Sequence, residues 1–207
     1  LGDVYKRQAV DRVDTGANLG ATVHYRQGDS DEDRTAYGEV VLAAIGRVPN
    51  TDADWFRSSG LKLDERGYVT VDGYGRTNLD GVWALGDITP GHALAHRAFE
   101  QGITIAEKIA GADPKPVIDD TVPQVVFSFP EAASVGLTLD QAKAREDVVE
   151  PKETAYPMLS NARMLMSGEG GSMTVVSGAF ANNPDMQVVL GVHIVSPIAS
   201  DLIAEAE

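Results

Sequence analysis

The stretch Thr77-Asn78-Leu79-Asp80-Gly81-Val82-Trp83-Ala84-Leu85-Gly86-Asp87 decides the reading, because an apolar run delivers a Gly-Asp pair straight into a new segment. Val82 to Leu85 are apolar and suit the interior of a parallel sheet, where near-continuous hydrophobic runs are expected. Gly86 lets another group or backbone approach closely, since it lacks a side chain and tolerates unusual dihedrals. Asp87 then stands at the carboxyl end of the expected strand. Open α/β sheets bind ligands at that edge, and a carboxylate there accepts hydrogen bonds from polyol hydroxyls. A Gly-Asp pair after a strand is also ordinary turn chemistry.

After the loop Ile88-Thr89-Pro90-Gly91, the periodicity predicts a helix over His92 to Ala110. Leu94, Ala98, Ile105 and Ile109 recur with Phe99, Ile103 and Ala106 at turn spacing, and Arg97, Glu100, Gln101 and Lys108 fall between them. Gly111 closes the helix, with Asp113-Pro114 beyond. Its start lies one short loop from Asp87, so its unpaired N–H groups and positive dipole end can face the same ligand, favouring an anion or an electron-rich ring edge. Ala95 is small enough to let a flat ligand reach the backbone. His96 reads either as a ligand contact or as a satisfied, partly buried histidine.

A second apolar run, Val40-Val41-Leu42-Ala43-Ala44-Ile45, is expected to form another buried strand ending in Gly46-Arg47. The glycine permits close approach, and Arg47 suits a phosphate or carboxylate bidentately. A surface ion pair in an acidic protein is the alternative for Arg47.

Taken together, Ala43 to Asn50, Thr77 to Asp87, Leu94-Ala95-His96 and Pro123 to Thr138 resemble the flavin-dependent disulfide oxidoreductases, and within them the dihydrolipoamide dehydrogenase type. Ser128 to Thr138, which holds Pro130-Glu131 and Val135-Gly136, Asn161-Ala162-Arg163 and Leu190 to Ile194 extend the likeness, which runs from about Glu39 to the end. The resemblance implies FAD and NAD as cofactors. Asp87 would bind the ribityl side of FAD, and Gly86, Leu94, Ala95 and His96 would line the flavin, with Ala95 offering backbone contact to its pyrimidine edge. Gly46 and Arg47 would lie against the nicotinamide nucleotide. The implied partners are a second copy, as a homodimer, and the lipoyl-bearing acyltransferase of a 2-oxo acid dehydrogenase complex. A helix N-terminus aimed at the pyrimidine edge would stabilise the negative charge that builds up as a flavin accepts electrons.

The sequence has no cysteine, so it holds no redox-active disulfide, zinc-thiolate site or structural disulfide. It also lacks a Gly-x-Gly-x-x-Gly fingerprint. By resemblance, both phosphate-binding turns would precede the matched region and the catalytic His-Glu pair would follow Glu207. His24, His92, His96 and His193 do not occupy that motif. The expectation is therefore a piece of an enzyme, truncated at both ends, with no catalytic residue of its own. Leu1 to Gln8 lack a Met start and a signal-peptide core and read as a leader foreign to the family, similar to sequencing-adapter readthrough.

Composition agrees with part of a multidomain protein. The 207 residues allow one large or two small cores. No apolar run approaches the ~20 residues of a membrane span. Seventeen basic against 31 acidic residues give a net charge of −14, which argues against a nucleic-acid partner. The absence of cysteine is compatible with the cytoplasm. The acidic cluster Asp29 to Asp33 reads as a solvated hairpin tip.

The fold class expected is α/β and α+β. Residues 9–46 read as short strands, notably Ala21 to Gln27 and Glu39 to Ile45, and resemble the tail of an NAD-binding domain. Residues 47–117 carry turns at Pro49-Asn50 and Glu65-Arg66-Gly67 and resemble the returning half of an FAD-binding Rossmann-like domain. Pro114 and Pro116 mark a linker. From 119 to 207 the pattern predicts strands Gln124 to Phe129, Ser172 to Ser177 and Met186 to Ile194, and helices Leu139 to Arg145 and Ile198 to Ala206. By resemblance this is a truncated dimerisation domain. Its apolar strand residues, Val122, Val125 to Phe127, Phe129, Val135, Val188 to Leu190, Val192 and Ile194, are expected to need a second copy as cover. Other disulfide reductases (glutathione or mercuric reductase, soluble transhydrogenase) and a non-catalytic assembly module built on 119–207 are the alternatives.

Overall fold

The computed structural model describes residues 8–16, 20–28, 30 and 32–206. The leader reading of Leu1 to Gln8 thus lies, Gln8 apart, outside the described residues, as do Asp29 and Asp31 of the acidic cluster. Two compact units span 1–47 and 48–207.

The first unit is an antiparallel sheet in the order β1 (Gln8–Thr15), β2 (Ala21–Gln27), β3 (Arg34–Gly38). Its β2 has the expected bounds, and Gly28 opens the following turn at φ +64°. Arg26 donates to the Asp11 carboxylate across β1 and β2 at 2.6 and 2.9 Å, holding that carboxyl below its ordinary range. The strand expected over Glu39 to Ile45 does not form. Gly38 pairs with Ala21, the first residue of β2, so the ladder has no partner beyond it. Val40, Leu42 and Ile45 are consequently almost wholly exposed.

In the second unit, α1 (Asp54–Ser58) packs Phe56 against Val69 and Ala84 in a small core that Ile88 also touches. The turn expected at 65–67 is present, with Asp64 Oδ1 accepting the Arg66 and Tyr68 amides at 2.9 Å each and Gly67 at φ +86°. Val82 to Leu85 are not a parallel strand. Among the described residues only Arg76 bridges Trp83, and a single antiparallel bridge cannot build a sheet interior. Ala84 is buried, whereas Val82 and Leu85 are exposed.

The helix α2 (Ala95–Ile109) starts three residues later than the periodicity predicts and ends at Gly111, which adopts φ +86°. Its buried residues are Arg97, Thr104 and Ile105. Phe99, Ile103 and Ile109, part of the apolar periodicity, face outward, Phe99 being 73% exposed. The helix thus carries two apolar stripes, and among the described residues only the one through Ile105 is covered.

The C-terminal layer is a five-stranded antiparallel sheet ordered β4 (Gln124–Val126), β5 (Glu131–Gly136), β8 (Asn183–Ser196), β7 (Ser172–Phe180), β6 (Val148–Pro157). The registers Val135↔Val192↔Val175 and Ala133↔Ile194↔Met173 put these residues on one face. There they pack with Met158, Met164, Ala199 and Ile203. The opposite face carries Ser134, His193 and Thr174 side by side. The chain's own helices therefore cover this apolar face, so Val135, Val192 and Ile194 do not depend on a second copy for cover. Val126, Phe127, Phe129 and Val189 remain exposed.

Helix α3 (Leu139–Ala144) begins at a reciprocal cap: Thr138 Oγ1 accepts the Gln141 amide and Gln141 Oε1 accepts the Thr138 amide. Helix α4 (Ala162–Ser167) is capped by Asn161, whose Oδ1 accepts the Arg163 amide at 2.9 Å. Helix α5 (Ala199–Leu202) runs into a 3₁₀ turn, Ile203–Ala206, together filling the stretch expected from Ile198 to Ala206.

The Glu131 carboxylate accepts the Ser200 amide at 2.8 Å, pinning the first turn of α5 to β5. That backbone bond, with a smaller contribution from the Ser200 side chain, lowers the Glu131 pKa from its ordinary 4.5. A lowered carboxyl contributes stability that is full above the unfolded value and lost as pH falls through the folded one. Glu131→Gln is expected to be less stable than the parent sequence near neutrality, with the gap closing below about pH 4. Urea denaturation at pH 7 and at pH 3.5 measures it, and an equal gap at both would refute the assignment.

Candidate cofactor-binding site

Gly86–Ile88 forms one 3₁₀ turn above the core of Phe56, Val69 and Ala84. Its position beside α2 follows from three contacts. The Gly86 amide donates to Gln101 Oε1 at 2.8 Å. The Thr89 amide and hydroxyl both donate to the Gly86 carbonyl, at 2.9 and 2.8 Å. Gly86 is buried at φ +72°, a left-handed conformation that favours glycine, and a Cβ there would stand in contact with the Ala98 methyl at 3.4 Å. Asp87, one residue on, is exposed.

Seven residues separate Asp87 from Ala95, the first residue of α2, with Leu94 extended at the cap position. No side chain caps this terminus, and its first turn holds no acidic residue. The positive dipole end of a fifteen-residue helix thus has no side-chain cap and no acidic residue in its first turn. Leu94 is half-buried and Ala95 exposed. The residues expected at the site from the sequence, Gly86, Asp87, Leu94, Ala95 and His96, lie on two segments that the Gly86–Gln101 bond ties together.

His96, exposed on the first turn of α2, is anchored through one ring nitrogen. Its Nε2 is bonded to the Pro123 carbonyl at 2.7 Å. Arg97, read from the sequence only as a polar spacer, is 5% exposed. Its Nε donates to Asp119 Oδ1 at 2.5 Å and its Nη2 to the Pro90 carbonyl at 2.6 Å, while Nη1 is buried without a partner. An unsatisfied buried donor costs about 1–3 kcal/mol, more on a charged group, so the ion pair carries a standing penalty. A signal existed: Arg97 lies seven and eight residues before Thr104 and Ile105, on the stripe that is buried.

In the first unit, Gly46 adopts φ +120° with open space where a Cβ would stand. Arg47 beside it is exposed and makes no ion pair among the described contacts. Among the described residues no group of three His, Asp or Glu side chains could hold a metal ion, and no helix is long and apolar enough to cross a membrane.

Two family profiles match this sequence: pyridine nucleotide-disulphide oxidoreductase over residues 3–102 and the dimerisation domain of the same group over 122–207. The chain belongs to the pyridine nucleotide-disulphide oxidoreductase family. It is 41% identical over 199 residues to dihydrolipoyl dehydrogenase from Cupriavidus necator, covering 95% of this chain and 40% of that one. It is 39% identical over 188 residues to dihydrolipoyl dehydrogenase from Geobacillus stearothermophilus, covering 90% and 38%. The chain thus spans about 40% of the length of these curated relatives. The crystal structure of LpdA from Mycobacterium tuberculosis superposes with a TM-score of 0.80 at 31% identity, over 96% of this chain and 40% of that one. The Escherichia coli flavoprotein disulfide reductase RclA is alike in fold alone, with a TM-score of 0.76 at 23% identity over 96% of this chain and 42% of that one.

Members of this family use FAD and NAD(H), and the groups present suit both. An exposed carboxylate next to an uncapped, acid-free helix start matches a polyol joined to a ring that gains negative charge. An open glycine followed by a free guanidinium matches a nucleotide phosphate.

Proposed function

We propose that this chain supplies part of the flavin site, part of the nicotinamide-nucleotide site and a dimerisation layer of a dihydrolipoyl dehydrogenase-type enzyme. That enzyme oxidises protein-bound dihydrolipoamide with NAD+ as acceptor, as a cytoplasmic homodimer serving a lipoyl-bearing acyltransferase. The observation carrying this reading is the Gly86-Asp87 turn held against the uncapped start of α2, in a chain 41% identical to a dihydrolipoyl dehydrogenase. FAD, when bound, supplies the two-electron relay between thiol and nicotinamide.

In this reading Asp87 accepts hydrogen bonds from the ribityl hydroxyls, and Gly86 keeps the turn close to the helix. Leu94, Ala95 and His96 present the helix start to the pyrimidine edge, with the His96 ring held aside by Pro123. Gly46 and Arg47 face the nicotinamide nucleotide. We assign residues 9–46 to the NAD-binding domain, 47–117 to the FAD-binding domain and 119–207 to the dimerisation domain. The exposed Val126, Phe127, Phe129 and Val189 supply apolar surface for a second copy.

The 207-residue chain, having no thiol, is expected to show no reduction of NAD+ by dihydrolipoamide when supplied with FAD. In the full-length protein that carries this sequence, Asp87→Ala is expected to weaken FAD retention by about 1.5–3 kcal/mol, roughly ten- to hundredfold, because one hydrogen bond to a charged group is lost. Flavin absorbance after dialysis reads it. Unchanged occupancy would overturn the role of Asp87, and a colourless parent protein would overturn the cofactor reading.

A further inference from the structure

Three segments converge on one buried guanidinium. Arg97, third residue of α2, donates to the Asp119 carboxylate ahead of the C-terminal sheet and to the Pro90 carbonyl in the loop after Asp87. The preceding residue, His96, bonds to Pro123 four positions beyond Asp119. Both side chains of the first turn that carry polar groups are thus spent on fastening it to 119–123. The sequence also leaves room for the pair. Gly91 adopts φ +119°, and a Cβ there would collide with the Arg97 guanidinium and the Asp119 carboxylate.

The burial of Arg97 is not explained by packing alone. Its side chain is 6% exposed and that of Asp119 40%, and Nη1 is closed off without an acceptor. A smaller apolar residue would fill the same stripe beside Ile105 without an orphaned donor. What the arginine brings is a fixed positive charge within the first turn of an uncapped helix start, balanced by a single carboxylate on a different segment.

We propose that Arg97 and Asp119 form a positioning pair that fixes the start of α2 and the Asp87 loop against the C-terminal layer, and that sets the charge seen by whatever occupies the helix start. The proposal rests on the flavin reading above. It differs from a purely structural tie because the two partners act with opposite sign. Removing the carboxylate leaves a buried cation, which favours a reduced, negatively charged flavin. Removing the guanidinium leaves the carboxylate unbalanced and disfavours it.

The test is the flavin midpoint potential of the full-length protein, measured by photoreduction against a reference dye, in Asp119→Asn, Arg97→Gln and Arg97→Lys. Asp119→Asn is expected to raise the potential and Arg97→Gln to lower it, each changing the reduced-to-oxidised ratio at fixed potential by about threefold to tenfold, the latter about 30 mV for a two-electron couple. Arg97→Lys, which keeps the charge, is expected to stay near the parent value. Shifts of the same sign in Asp119→Asn and Arg97→Gln, or no shift in either, would overturn the proposal while leaving bound flavin and the cofactor reading intact. Should Arg97→Gln not retain flavin, Asp119→Asn decides alone, and an unchanged or lowered potential overturns the pair's role. A parent protein without flavin would remove both readings together.

Discussion

Gly136→Ala is expected to unfold the C-terminal layer, whereas Gly168→Ala leaves it folded. Gly136 ends β5 at φ +77°, and a Cβ there would strike the Leu190 carbonyl and the Gly191 Cα. Both obstacles are backbone of β8, which is held on its other side by β7, so neither can move aside cheaply. A left-handed conformation costs a non-glycine residue about 1–2 kcal/mol, and forced overpacking adds about 1–3 kcal/mol. The sum, about 2–5 kcal/mol, is a large part of the stability of an ordinary domain. Gly168, at φ +71° after α4, has nothing within reach of a Cβ and should lose only the conformational part, about 1 kcal/mol. Urea midpoints of the two variants compare them directly. Equal midpoints would mean that the sheet yields at Gly136, and that the glycine of the Pro-Glu-x-x-x-Val-Gly pattern is not there for close approach of β8.

Asp119→Ala is expected to destabilise the second unit by about 3 kcal/mol, the lower end of what breaking a buried pair costs, because Asp119 itself is partly exposed. The loss comes mainly from stranding the Arg97 charge, which keeps only the Pro90 carbonyl. Adding Arg97→Met should therefore restore part of the stability, since the double variant buries no unpaired charge. Thermal or urea denaturation of the two single variants and the double variant closes the cycle. A double variant as unstable as the sum of the singles would show that the two residues act independently.

Much of the architecture is local and therefore legible. Strand β2 needs only alternation and a Gly-bounded turn, α2 only its periodicity and Gly111, and the strand–helix pattern after Asp119 announces an α+β layer. In the C-terminal layer two strands escaped for physical reasons. In β5, Ala132, Ala133 and Ser134 are too small to mark an alternation, although Ala133 is buried. In β6, Glu150, Pro151 and Lys152 interrupt the apolar pattern, and the structure accommodates them at an edge through a register shift.

The candidate site divides in the same way. The sequence by itself determined that Gly86-Asp87 and a helix start stand one loop apart, that the chain has no thiol chemistry, and that Gly46-Arg47 ends an apolar run. Only the tertiary structure decided that Val82 to Leu85 and Val40 to Ile45 make no sheet here, because a strand exists through partners that may lie anywhere in sequence. It alone decided the state of two neighbouring residues in α2: His96 is tied to Pro123, and Arg97 is buried on Asp119. Periodicity reports which way a side chain points, whereas the group it meets 22 or 27 residues away is set by how the layers pack.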